Sequence, residues 1–72
     1  MNGHHVVDVT LPRGGTYRVR FHGESPTSVE TRVQNWGNPY WRTIWDADGR
    51  SSPSPRVTCV LRSAIHTMQQ GQ

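Results

Sequence analysis

The 72-residue chain contains no lysine, one cysteine and no long hydrophobic run. A single cysteine excludes an internal disulfide, the usual support of small secreted domains, and favours a reducing, intracellular setting. No stretch approaches the ~20 apolar residues that a membrane helix requires, and the segment after Met1 lacks the basic and apolar regions of a signal peptide. We therefore predict a soluble protein of the cytoplasm with no membrane partner.

The chain is also too short for a large core. A domain of this size buries only about 60% of the surface that its unfolded chain exposes. We expect one domain over residues 1–72, with a thin core and no deep cleft between domains. An enzyme with a small-molecule substrate is therefore not expected.

The charged residues have a mild positive bias. Eight Arg oppose five acidic residues, which gives a formal net charge of +3 with His neutral. This excess favours an acidic partner but is well below that of a dedicated nucleic-acid binder. The arginine side chains can stack on aromatic rings and bind carboxylates or phosphates through two hydrogen bonds.

Two stretches near the N-terminus alternate between apolar and polar residues, the pattern of a strand with one buried face. The first covers residues 6–11 and the second residues 16–22, and the predicted inward side chains are Val7, Val9, Leu11, Tyr17, Val19 and Phe21. Between them, Pro12-Arg13-Gly14-Gly15 has the composition of a tight turn. The sequence thus predicts a β-hairpin.

The middle of the chain allows two interpretations. Residues 27–36 begin with a capping-box pattern and carry Val29, Val33 and Trp36 at helical spacing, with Gly37 in place for a C-cap, so we predict a short helix. A third strand is the competing interpretation, because β-branched residues weaken helix propensity. Residues 40–45 are rich in the types that strands prefer and are predicted as a strand.

The C-terminal third has a break in composition. Residues 46–55 contain Ser, Pro, Gly and Asp and predict a flexible loop. Residues 56–63 alternate again and predict a strand, and residues 64–72 predict a frayed tail. The expected fold is α+β: a four-stranded, mainly antiparallel sheet in the order ββαββ, with one helix on one face and the other face in water.

Strand 40–45 carries two of the three Trp of the chain. Simple alternation places Trp41 and Trp45 on one side, and Tyr40, Arg42 and Ile44 on the other. One interpretation is that these side chains fill the core and cover the sheet. The other is that an exposed Trp or Tyr beside Arg42 anchors an interface, since Trp, Tyr and Arg are enriched at binding hot spots.

A row of basic residues is predicted on the outer side of the second strand. It consists of Arg18, Arg20 and His22, with Arg13 in the preceding turn and Arg50 in the later loop. Such a row can follow phosphates or an acidic protein surface. The alternative is a solvated face, with Asp8 paired to it across the hairpin.

No pattern in the sequence indicates catalysis, a cofactor or a metal site. The four His and Cys59 lack the paired spacing of zinc ligands, and the calcium-loop pattern that begins at Asp46 has Val57 at its twelfth position instead of Glu. Cys59 is expected as a small buried residue of the fourth strand. We therefore predict a binding protein without enzymatic activity.

Two segments allow a comparison with known proteins: the Arg13-Gly14-Gly15 turn and the stretch Asn35-Trp36-Gly37-Asn38-Pro39-Tyr40-Trp41-Arg42. In these segments, in its size and in its lack of lysine, the chain resembles the small lytic-bacteriophage transcription regulators. That resemblance implies binding to the host's multisubunit RNA polymerase near the RNA exit channel, with nascent RNA nearby. It also implies inhibition of initiation and suppression of termination in the host cytoplasm.

The resemblance assigns no binding residue, so the candidate partner-binding set comes from the residue patterns alone. It consists of Arg13, Arg18, Arg20, His22, Tyr40, Trp41, Arg42 and Arg50. Two other functions fit the same residues. One is a module that binds single-stranded RNA or DNA, and the other is a phage inhibitor of a host defence nuclease.

Overall fold

The two alternating stretches near the N-terminus form a β-hairpin, as predicted. In the computed structural model, which describes residues 3–49 and 51–70, β1 covers His4–Thr10 and β2 covers Thr16–His22. The strands pair antiparallel along their whole length. Alternation places one side of the hairpin in the core, where Val9, Tyr17, Val19 and Phe21 are buried.

The turn of this hairpin requires glycine at one position in particular. Gly15 has a φ of +96°, which side chains rarely adopt, and a Cβ built there would lie 2.8 Å from Cε1 of Tyr17. The Tyr17 ring therefore occupies the space beside Gly15. This close approach helps to hold the ring in the core, where its hydroxyl accepts a hydrogen bond from Arg56 Nη1 at 3.0 Å.

Two further strands complete the sheet. β3 covers Ser25–Val33, β4 covers Tyr40–Asp46, and the sheet order is β1-β2-β3-β4 with antiparallel neighbours throughout. The helix predicted over residues 27–36 is wrong, and the competing third strand is present. Its pattern has period two: Val29, Thr31 and Val33 point to one side, and the polar residues between them to the other.

The one helix of the described residues follows the sheet. α1 covers Pro55–Gln70, so the strand predicted over residues 56–63 is wrong. Val57, Val60 and Ala64 follow the spacing of a helix face and are all buried. The fold class α+β is confirmed, but the element order is ββββα instead of ββαββ.

The start of α1 explains where the preceding loop ends. The Ser54 hydroxyl accepts a hydrogen bond from the Val57 N–H at 3.2 Å, and Pro55 occupies the first helical position, where its missing N–H is not needed. Asp46 ends β4, so the connection between β4 and α1 is shorter than the predicted loop over residues 46–55.

The helix also replaces the frayed tail that was predicted over residues 64–72. Residues 64–70 form the last turns of α1, where Ile65 and Met68 pack against the core; residues 71 and 72 lie outside the described part of the chain. Cys59 is exposed on α1, so its predicted burial is wrong. α1 is neither long enough nor apolar enough to cross a membrane.

The core lies between α1 and one face of the sheet. It joins buried residues of β1, β2 and β3 to the buried face of α1, and Trp45 of β4 packs against its margin. Trp36, predicted to cover the sheet, is instead exposed in the loop between β3 and β4.

An irregularity in β4 separates two Trp residues that simple alternation places together. Val29 pairs with Trp45, but the next residue, Glu30, pairs with Thr43, so Ile44 is an extra residue in β4. Such a bulge shifts the alternation of the strand by one position. Trp45 consequently faces the core, whereas Trp41 lies on the opposite face, and the prediction that they share a side is wrong.

Candidate functional site

The face of the sheet opposite α1 carries most of the polar and charged strand residues. The pairing register defines its members, because directly opposed residues share a face. We call this surface the open face. Its charged, histidine and aromatic members are His4, Asp8, Arg18, Arg20, His22, Glu30, Arg32 and Trp41, with Asp46 at its margin.

Two ion pairs cross between neighbouring strands of the open face. Arg18 Nε lies 3.1 Å from Asp8 Oδ1, and Arg20 Nε lies 2.9 Å from Glu30 Oε1. The predicted pairing of Asp8 with the basic row is confirmed. Pairs this accessible to water contribute only about 0.2–1 kcal/mol each to stability. They direct two of the arginine side chains towards neighbouring strands of the open face.

Trp41 lies at the centre of a cluster with two arginines. The guanidinium carbon of Arg18 is 4.2 Å from the centroid of the Trp41 ring, and that of Arg32 is 5.1 Å from it. Both distances are within the range of cation–π attraction. Arg32 is the direct cross-strand neighbour of Trp41.

The same contacts link all four strands. Asp8 of β1 pairs with Arg18 of β2, and Arg18 meets Trp41 of β4, which also contacts Arg32 of β3. These contacts restrain the side chains in the absence of a partner. Side chains that are already restrained lose less conformational entropy on binding.

Arg32 differs from the other two arginines in its electrostatics. Arg18 and Arg20 each have a carboxylate partner, whereas within residues 3–49 and 51–70 no carboxylate pairs with Arg32. The positive charge beside Trp41 is therefore largely uncompensated. This pair of residues forms the spot of the open face best suited to an acidic or aromatic group of a partner.

His22, the last member of the predicted basic row, also lies on the open face. It pairs with His4 at the end of the hairpin, and their rings meet edge to face with centroids 5.0 Å apart. Both side chains are exposed. The structure therefore places four of the predicted binding residues on the open face: Arg18, Arg20, His22 and Trp41. His22 lies at the opposite end of the sheet from Trp41.

The other predicted binding residues lie elsewhere. Arg13 is exposed in the turn between β1 and β2, beyond the last strand pair. Tyr40 and Arg42 are exposed, but they pair with Val33 and Thr31 and so lie on the side of the sheet that faces α1. Arg50 lies outside the described residues. Trp41 lies on the opposite side of β4 from Tyr40 and Arg42, as alternation predicts, so these three members of the predicted binding set do not form one surface.

Arg32 was missed by the sequence patterns. A helical interpretation of residues 27–36 gave it no defined neighbour. Under the competing strand interpretation, Ser28, Glu30 and Arg32 alternate with the apolar residues, and this alternation was the signal that could have placed Arg32 on the open face.

The described residues bring few metal-ligating or nucleophilic side chains together. Within residues 3–49 and 51–70, no three His, Cys, Asp or Glu side chains come together as metal ligands. Cys59 lies on the outer side of α1, on the other side of the sheet from His4 and His22. Comparison of the chain with known protein families, curated proteins and solved structures finds no match in any of the three.

Proposed function

We propose that this protein is a bacteriophage regulator of transcription that acts in the host cytoplasm by binding the host's multisubunit RNA polymerase. It inhibits initiation and suppresses termination through protein–protein contacts, as the resemblance to lytic-phage regulators implies. The observation that carries the proposal is the ordered cluster of Arg18, Arg32 and Trp41 on an uncovered sheet face. Arg and Trp are the residue types most enriched at protein-binding hot spots.

The mixture of charges on the open face favours a protein partner. Asp8 and Glu30 lie among the arginines and neutralise two of them. Phosphates would meet these carboxylates and be repelled, whereas a protein surface with both signs of charge can match them.

The size of the domain is sufficient for such a contact. An interface of standard size buries about 800 Å² on each partner. That area is about one-seventh of the 5540 Å² of accessible surface. The open face together with its margins can therefore supply one such interface, leaving α1 outside it.

The test measures binding of the chain to purified RNA polymerase core enzyme and holoenzyme from the host bacterium. We expect Arg32→Ala combined with Trp41→Ala to weaken binding by about 30-fold or more, because hot-spot residues contribute at least about 2 kcal/mol. The matched control is Arg62→Ala combined with Thr67→Ala, which removes the same charge from the exposed side of α1.

Transcription assays complete the test. The wild-type chain should lower run-off transcripts from a promoter and increase read-through at a terminator hairpin, and the open-face double variant should do neither. Circular dichroism establishes that both double variants are folded. Absence of polymerase binding by the folded wild-type chain contradicts the proposal, as does equal binding by the two double variants.

Single-stranded RNA or DNA binding is the second candidate, and one observation favours it. Trp41 presents an aromatic ring beside Arg32 on an open antiparallel sheet, and bases stack on such rings in many single-strand binders. This function predicts oligonucleotide binding whose affinity falls steeply between ~0.05 and ~0.2 M salt. Tight oligonucleotide binding without polymerase binding would favour it over the first proposal.

A further inference from the structure

The loop between β3 and β4 carries the most exposed large hydrophobic side chain of the described residues. Trp36 has a relative accessible surface of 103%, so no other described residue covers it. The loop covers residues 34–39, all of them exposed, and is closed by the pair Val33↔Tyr40. Trp36 therefore contributes no packing to the fold, and its position at the end of a hairpin calls for another explanation.

Two features restrict the loop locally. The Asn35 side-chain oxygen accepts a hydrogen bond from the Trp36 N–H at 2.9 Å, and the ring of Pro39 restricts the backbone just before β4. The Trp side chain itself has only two rotatable torsions, so its burial by a partner costs little conformational entropy.

The loop also continues from the candidate site. It connects the strand that carries Arg32 to the strand that carries Trp41. A partner bound over these two residues at that end of the sheet lies beside the loop. Trp36 can then be buried by the same partner.

The composition of the loop identifies the kind of partner. Residues 33–41 contain no charged side chain, so the tip offers nothing to a phosphate backbone or to an anionic membrane surface. Three of the five other residues in the loop carry amide side chains: Gln34, Asn35 and Asn38. An apolar centre surrounded by neutral hydrogen-bonding groups is the typical anatomy of a protein–protein hot spot.

We propose that Trp36 is the anchor of a protein interface and that it inserts into an apolar pocket of the protein that contacts the open face. This inference rests on the protein-binding function proposed above and adds a second contact to it. The pocket has an apolar interior and a rim of backbone or side-chain groups that bind amides. The open face supplies the charged contacts, and the loop supplies the apolar one.

The first test replaces Trp36 with a photo-cross-linking amino acid, and the control places the same group at Thr67 on α1. Each full-length variant is irradiated in an extract of the host bacterium. Nuclease digestion follows irradiation, and the products are identified by mass spectrometry. We expect a defined protein product from position 36 and none from position 67. Excess wild-type chain should remove the product, and excess Trp36→Ala chain should not.

The second test measures affinity for the protein that the cross-link identifies. Trp36→Ala should weaken binding by about 30-fold or more, with an unchanged salt dependence because no charge is lost. Arg32→Ala should instead reduce the salt dependence. The circular dichroism spectrum of Trp36→Ala should match that of the wild type, since Trp36 lies outside the core.

The outcomes separate this inference from the proposed function. A polymerase subunit in the competed product supports both. Another protein, competed in the same way and bound more weakly by Trp36→Ala, supports the anchor and contradicts the polymerase proposal. The anchor is overturned by a nucleic-acid product, by the absence of a competed product, or by equal affinity of Trp36→Ala. If polymerase still binds the wild type in those cases, the proposed function stands without it.

Discussion

The guanidinium of Arg18 lies 4.2 Å from the centroid of the Trp41 ring, although β3 runs between the strands that carry them. Adjacent strands are about 4.8 Å apart, so the two backbones are separated by roughly twice that distance. The contact forms because the long side chains of Arg18 and Trp41 together bridge the width of β3. It makes the open face a connected layer of side chains.

The contact between Arg18 and Trp41 predicts a measurable coupling. In a double-mutant cycle of Arg18→Ala and Trp41→Ala, we expect the two effects on the free energy of unfolding to differ from additivity by about 0.5–1 kcal/mol. Urea denaturation of the four chains provides the values. Because Arg18 also pairs with Asp8, a second cycle with Asp8→Ala separates the ion pair from the stacking. Additive effects in the first cycle would contradict the contact.

Ser54 is predicted to stabilise α1 as its N-cap. The hydroxyl accepts from the Val57 N–H, and the Ser54 carbonyl accepts from the Thr58 N–H at 2.8 Å. Ser54→Ala should lower the free energy of unfolding by about 1 kcal/mol, because the side-chain bond to the helix is lost. Ser52→Ala, in the same connection, is the control and should have little effect. The measurement is thermal or urea unfolding followed by circular dichroism.

Alanine substitutions at the two glycines of the first turn are predicted to lower stability by unequal amounts. Gly14 and Gly15 have φ of +106° and +96°, so alanine is strained at both, by at least about 1 kcal/mol. Only at Gly15 does the added Cβ meet the Tyr17 ring, at 2.8 Å. Gly15→Ala should therefore destabilise the protein more than Gly14→Ala, as judged by the midpoint of urea unfolding. Equal midpoints would show that the ring moves away without cost.

Truncation of Phe21 is predicted to remove a large part of the free energy of unfolding. Its side chain is fully buried, and Phe→Ala changes in protein cores cost about 3–5 kcal/mol. A domain of 72 residues has a total stability of roughly 4–11 kcal/mol. Phe21→Ala should therefore remove a large part of that stability and leave a substantial unfolded population at 37 °C. Trp36→Ala is the control, since it removes a large aromatic side chain from the surface.

The sequence predicted the first hairpin correctly because both of its strands alternate without interruption around a turn of Pro and Gly. Residues 27–36 were ambiguous: Val29 and Val33 fit a helix, and they also fit a strand when Thr31 is counted between them. The deciding factor was tertiary, because β3 completes its hydrogen bonds with a strand on each side.

The C-terminal error had a similar cause. Val57, Cys59 and Leu61 suggest a strand when residues 56–63 are considered alone. Over the longer window to Met68, the helical spacing of Val57, Val60 and Ala64 is clearer, and Pro55 after Ser54 marks the start. Length decides between the two periods in such a case.

The candidate site was predicted only in part. Arg18 and Arg20 followed from the alternation of β2, and the Asp8 partner from the hairpin register. The ion pair of Arg20 with Glu30 was not predicted, because Glu30 lies in β3 and residues 27–36 were predicted as a helix. Alternation within residues 40–45 correctly placed Trp41 opposite Tyr40 and Arg42, but it did not predict the side of Trp45. The side of Trp45 depends on the extra residue at Ile44, which no local composition signals.

Because of that extra residue, β4 contributes one Trp to each side of the sheet. Trp41, before Ile44, lies on the open face, and Trp45, after it, packs against the core. Regular alternation over residues 41–45, without the bulge, would place both Trp on the same side. Either Trp41 would then turn towards the core, or Trp45 would turn towards the open face. A shift in the alternation of β4 therefore alters the open face and the core together, whereas substitutions at Trp41 can change the open face while the core keeps its packing.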